Sequence, residues 1–224
     1  MKKFVTLFAV TFVCLTAIFA SVPTYEASAY GGYGYNRIGE KGTYTNSNLG
    51  YSSSTKTQDI QKGLLFGGKV TVGDGSSVSG YASADFGLMF SGEIKTSVLG
   101  IELSNDLDLD GLNNWMNFSV GGQYSVPLSE TVRFKLSVGP NLLYEFASEK
   151  ESDGMDDMWA CGIQGNLGVS VETEDTLSIV AGCTLAYDPW IFGSDALDEA
   201  KEHLTDVSRS ILIVYPTIGV TFNL

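Results

Sequence analysis

Three stretches of this chain carry residue types that could do chemistry. Asp106-Leu107-Asp108-Leu109-Asp110-Gly111 places carboxylates at positions one, three and five of a calcium-binding loop, with glycine at position six. Hard oxygen ligands at alternate residues, with a glycine to turn the chain, suit that ion. The twelfth position is Asn117 where a bidentate Glu is needed, and both flanks read as strands. A solvated acidic hairpin tip is the better reading of Asp106, Asp108 and Asp110. His203, the only histidine, has Glu199 one turn before it and Ser208 beyond, the types used in acyl transfer. It falls on a segment patterned as a short surface helix, with Ser194 or Asp195 as cap and a stripe of Leu197, Ala200, Leu204 and Val207. No catalytic motif surrounds it, so no enzyme and no cofactor is expected. The third set is scattered: Lys69, Asp85, Lys95, Arg133, Lys135, Glu145, Gln164, Glu172, Asp188 and Arg209 each stand on the polar side of an alternating run.

That alternation is the dominant signal after residue 62. Val132, Phe134, Leu136, Val138, Leu142, Tyr144 and Phe146 alternate with Arg133, Lys135, Ser137, Gly139, Asn141 and Glu145, the period of two that gives a strand one oily face. The same pattern marks eight segments: 63–73, 77–90, 93–104, 115–128, 131–147, 158–172, 176–190 and 211–224. The third changes parity midway, which a bulge would explain. Tight turns are expected near Gly92, Pro127 and Glu174. The longer connections 105–114, 148–157 and 192–208 are acidic, and the short turn at Gly73 is the exception. Short turns at one end and long loops at the other describe an all-β, antiparallel, up-and-down transmembrane β-barrel, most simply of eight strands. A soluble sandwich is disfavoured by the Gly, Ser, Asn and Gln of the polar faces. Aromatics at the ends of the oily faces also speak for membrane girdles: Trp159, Trp190, Tyr144 and Phe146 near the long loops, Phe66, Phe90 and Phe222 near the short turns.

Upstream, Lys2 and Lys3 precede an apolar run from Phe4 to Ala20, followed by Ala27-Ser28-Ala29, the order of a secretory signal peptide. Residues 1–29 are read as that leader, 30–62 as a flexible Tyr/Gly/Ser-rich periplasmic segment, and 63–224 as the barrel. Removing the +1 of Lys2, Lys3 and Glu26 from the chain's −13 leaves a mature charge of −14. Such acidity argues against a nucleic-acid partner. The segments 102–110, 149–157 and 195–206 carry −4 each, so divalent cations or surface ligands are candidate partners of the acidic loops. Cys161 and Cys183 lie on neighbouring strands but about four residues out of register, so two free thiols are expected.

The leader, about eight alternating strands and a closing strand with a late aromatic resemble the small outer-membrane barrels of the OmpX/OmpA type. The resemblance implies the bacterial outer membrane, a lipid partner, a monomer, and an assembly signal read by the outer-membrane assembly machinery. In such families the last strand usually ends on Phe; here Phe222 sits two residues early, on the same face as the terminal Leu224. A structural or surface-interaction role with a filled lumen is the leading expectation. A narrow channel for small or apolar solutes comes second and a lipid-modifying enzyme third. Across the first hairpin, Lys69 and Asp85 are expected to pair, and Arg209 to meet Glu145 or Asp188.

Overall fold

The computed structural model describes residues 24–46, 51–73, 77–98, 101–107, 113–146, 158–174, 176–193 and 205–224. They form β1 (Thr24–Asn46), β2 (Tyr51–Gly73), β3 (Val78–Val98), β4 (Ile101–Leu107), β5 (Asn113–Pro127), β6 (Val132–Phe146), β7 (Met158–Glu174), β8 (Leu177–Phe192) and β9 (Thr205–Asn223). Pairing runs β2-β1-β9-β8-β7-β6-β5-β3, and β2 also pairs with β3, so these eight strands close into a ring. β4 stands outside the ring, doubling back on the upper part of β3 from Val98↔Ile101 to Gly92↔Leu107. Every ring contact is antiparallel. Followed once round the wall, the register that leaves β1 at Ser28 returns to it at Ile38, a stagger of ten residues. Such a stagger accompanies tilted strands in a small closed barrel.

The wall is the inverse of a soluble protein. Along β5, Trp115, Asn117 and Ser119 are 1, 1 and 2% exposed, while Met116 and Phe118 between them are 39 and 50% exposed. Apolar groups left outward in quantity and amides hidden inside fit a lipid solvent, where backbone polar groups must pair within a closed ring. On β9 the outward apolar run spans Leu212 to Phe222, the length a tilted strand needs to cross the hydrocarbon.

Two sequence expectations are corrected. Residues 30–46 and 51–62 are wall, not a flexible segment: β1 pairs with β2 from Thr24↔Gly73 to Asn46↔Tyr51 and with β9 from Glu26↔Asn223. Their lipid side is made of Ala27, Ala29, Gly31, Tyr33 and Tyr35, small and aromatic rather than aliphatic, which hid the alternation. Conversely, 93–104 is not a separate ring strand. The Gly92 region continues β3, and the chain turns only beyond Val98. The count of eight survives with one member exchanged. Phe90 moves with this change to the outer end, where it meets Tyr33 with ring centroids 6.1 Å apart. At that same end Tyr144 stacks on Trp159 at 4.5 Å. Phe66 lies at mid-wall, opposite Gly31 and Phe86.

Cys161 and Cys183 are free thiols. They face Trp190 and Leu167 across the β7–β8 pair. The expected helix of the last loop does not include its final residues, since 205–208 already belong to β9; residues 194–204, with His203 and Glu199, lie outside the described residues.

Two measurements check this wall. Ile218→Arg at the centre of the belt should cost ~2–4 kcal/mol of folding free energy in lipid, against ~0–1 for Phe222→Arg near the interface. Equal tolerance would contradict the membrane placement. Cleavage after Ala29 would strip β1 partners from Val220, Thr221, Phe222 and Asn223 and remove Glu26 from the lumen. Sequencing of the exported protein should therefore find a mature chain that begins before Thr24; one beginning at Tyr30 would show that β9 closes on a shorter strand.

Candidate functional site in the barrel lumen

Inward-pointing residues are fixed by strand parity, and the structure sorts them into layers. Nearest the short turns, Lys135 Nζ lies 2.8 Å from Glu26 Oε2, and Arg133 bridges to Glu172 at 2.9 Å across β6 and β7. Next, Lys69 Nζ donates to Gln123 Oε1 at 2.9 Å and Ser137 Oγ at 3.3 Å, with the Tyr81 ring 5.8 Å away. Tyr81 in turn shares a 2.9 Å hydrogen bond with Ser119. The two lysines of these layers are matched in formal charge by the two carboxylates Glu26 and Asp85, whose charges act on Lys69.

Above them runs a hydrogen-bonded cross-brace. Tyr30 donates to Asp85 Oδ1 at 2.5 Å, and Gln164 Nε2 donates to the other carboxylate oxygen at 3.1 Å. Asn117 donates to Gln164 Oε1. Asn141 Nδ2 then donates to both Asn117 Oδ1, at 2.9 Å, and Asp188 Oδ1, at 2.8 Å. The line joins β1, β3, β7, β5, β6 and β8 across the lumen. Three of its six members are amides, which cannot pass a proton along without becoming imidic acids. The chemistry is that of a brace and not of a proton wire.

Over the brace sits an apolar layer. Leu65, Met89, Trp115, Leu143, Met158, Ala160, Ala186, Ile211, Ile213 and Tyr215 form one buried cluster inside the barrel. Trp115 and Tyr215 meet at 5.6 Å between centroids, tilted by 56°, and Tyr215 donates to Met89 Sδ at 3.5 Å. Toward the outer end, Gln61 donates to Asp59 at 2.8 Å, and the Arg209 charge acts on both Asp59 and Glu145. Below the brace remains a cavity of about 50 Å³ lined by Tyr30, Lys69, Lys135, Ser137, Thr184 and Thr221 among others, room for water alone.

The inward set read from sequence, Lys69, Asp85, Arg133, Lys135, Glu145, Gln164, Asp188 and Arg209, lies in the lumen or at its rims, but its pairing differs. Lys69 and Asp85 do not bond to each other. In the β2–β3 register Lys69 faces Ser83 and Asp85 faces Gly67, so the two point at different layers. The charge of Arg209 acts on Glu145 and Asp59, while Asp188 is taken by Asn141. Glu26 and Tyr30 went unseen because they were placed in the leader and at its cut; the alternation of Glu26, Ser28 and Tyr30 with Ala27, Ala29 and Gly31 was the available signal. Of the acidic triplet, Asp106 lies exposed on β4 opposite Glu93; Asp108 and Asp110 lie outside the described residues. Phe222 and Leu224 face outward, 48 and 79% exposed.

No family model matches the sequence, and no curated protein matches it. Among solved structures, the chain is similar to the Neisserial surface protein A at 10% identity, covering 91% of this chain and 100% of that one, with a TM-score of 0.55. It also aligns with the outer membrane protein OprG from Pseudomonas aeruginosa, at 14% identity over 88 and 95% of the two chains and a TM-score of 0.41.

Gln164→Leu keeps the volume near constant and leaves Asp85 Oδ2 and Asn117 Nδ2 without a partner. It should cost about 1–3 kcal/mol in reversible unfolding; a loss within error would show that the brace is not a structural element. This chain has the fold of the small bacterial outer-membrane β-barrels.

Proposed function

We propose that the protein is a closed, non-conducting outer-membrane barrel with a structural or surface-interaction role. One observation carries this reading: the lumen is crossed twice, by the Tyr30-to-Asp188 brace and by the Trp115–Tyr215 layer. An eight-stranded barrel leaves an interior that side chains can fill, whereas water-filled porins need about 16–18 strands. What such a barrel offers its surroundings is then its outer wall and its loops. The acidic loops are suited to divalent cations or surface ligands. Phe222 and Leu224, both outward on the closing strand, suit an assembly signal read by the outer-membrane machinery, and a monomer is the expected state because the ring closes on itself. No catalytic role is assigned: the polar side chains from Tyr30 to Asp188 at the centre of the lumen are engaged in holding strands together.

The narrow-channel reading would need a path past both layers. In planar bilayers the purified monomer should give no steady, porin-sized current steps, and Asp85→Asn should lower unfolding stability without creating a current. Steady openings of the unaltered protein would overturn the filled-lumen reading.

A further inference from the structure

The basic residues of the wall are unevenly placed. Lys69 and Lys135 are engaged inside the lumen, Arg133 pairs with Glu172, and Lys95 pairs with Glu93 at 3.3 Å. Arg37, Lys41 and Lys56 instead gather on one sector of the outer wall. The register sets Lys41 directly opposite Lys56 on β2 and opposite Ser208 on β9. By strand alternation Arg37 shares Lys41's face. Like charges directly across a strand pair repel, and none of the three makes an ion pair with a carboxylate among the described residues.

Between them the wall is dented. Gly39 carries no side chain, and a Cβ built there would meet only Ser210, at 3.8 and 3.9 Å. The resulting open groove, about 390 Å³, is lined by Arg37, Lys41, Lys56, Ser208, Ser210 and Tyr187, among others. Glu40 and Arg209, which face each other across β1 and β9, also border it, from the inward parity of their strands. Its height on the barrel identifies what would fill it. Arg37 pairs with Leu212, the last member of the outward apolar run of β9. On β8, the half-exposed Tyr187 pairs with Leu212, below the exposed girdle aromatics Trp190 and Phe192. The groove therefore opens at the level of the headgroups of the outer leaflet.

We infer that this groove binds the phosphorylated headgroup of an outer-leaflet glycolipid. A guanidinium and two ammonium groups converging on a recess with two hydroxyls supply charge-assisted donors for phosphate oxygens. Directly below, Tyr35, Leu64 and Val214 give the acyl chains of the same molecule an apolar wall, with the outward, exposed Lys62 beside Tyr35 as a further cation near the headgroup. The anion would relieve the Lys41–Lys56 repulsion, and Ser208 and Ser210 can donate to its remaining oxygens. The assignment rests on the membrane placement of the wall and is independent of whether the lumen conducts.

The test is native mass spectrometry of the refolded full chain released from detergent, offered diphosphorylated lipid A, its dephosphorylated form, or inorganic phosphate. The unaltered protein should retain the diphosphorylated lipid at least tenfold more than the dephosphorylated one. The triple change Arg37→Gln, Lys41→Gln, Lys56→Gln should abolish that preference, and Gly39→Phe, which fills the groove while keeping every charge, should do the same. Lys95→Gln, removed from the groove, should leave retention unchanged, and heat-modifiable gel mobility verifies that each variant is folded. Equal retention of the two lipids, or a triple variant that binds like the unaltered protein, would overturn the inference. Inorganic phosphate bound as firmly as the lipid would also overturn it, by making the occupant a free anion.

Discussion

In hydrocarbon a backbone N–H or C=O has no water to turn to, and every strand in a membrane must find both neighbours. Much of this structure follows from that one constraint. It makes the sheet a ring, and a ring of strands needs each edge covered along the whole belt. It explains why β1 belongs to the wall although its sequence lacks aliphatic residues: without it, β2 and β9 would each carry an open edge through the membrane. It also explains why β4 can be left outside. β4 pairs only with the upper part of β3, beyond the apolar belt, where water can satisfy the unpaired side.

Closure with eight strands then creates a second problem, a lumen too small for bulk water and too polar to collapse. The solution is a match between large inward side chains and missing ones. A Cβ on Gly67 would stand 2.3 Å from Asp85 Oδ1 and 2.4 Å from the Tyr30 ring; one on Gly87 would stand 2.1 Å from the Trp115 indole. Tyr30 and Trp115 therefore lie flat against the bare backbone of neighbouring strands. This places the Tyr30 hydroxyl on Asp85 and spreads the indole toward Tyr215. The glycines of β2 and β3 are thus as much a part of the brace and the apolar layer as the residues that compose them.

The sequence made most of this legible, and the failures have physical causes. Alternation in 115–128, 131–147, 158–172 and 176–190 was strong because aliphatic and aromatic residues stand opposite full charges or amides, so four strands and their inward faces were readable. β1 was not, since tyrosine, alanine and glycine serve as its lipid face. Ile211 and Ile213 were invisible as lumen residues for the opposite reason: both faces of that stretch are apolar, one toward lipid and one toward Trp115. Periodicity also fixes only which side a residue faces, not which layer it reaches. That is why Asp85 and Lys69 could be placed in the lumen, yet their partners depended on a register that only the closed ring defines.

The same register separates two uses of positive charge. Inside, Lys69 is held by an amide of β5 and a hydroxyl of β6, and Lys135 by a carboxylate of β1, so their charge is spent on joining the wall. Outside, Arg37, Lys41 and Lys56 sit on adjacent strands that are already joined by backbone hydrogen bonds, and their proximity adds repulsion without adding cohesion. The wall would be more stable with neutral residues there. A cluster that costs stability where it stands, at the one height where phosphates are abundant and beside a glycine that leaves room for them, is better explained by a ligand than by the fold.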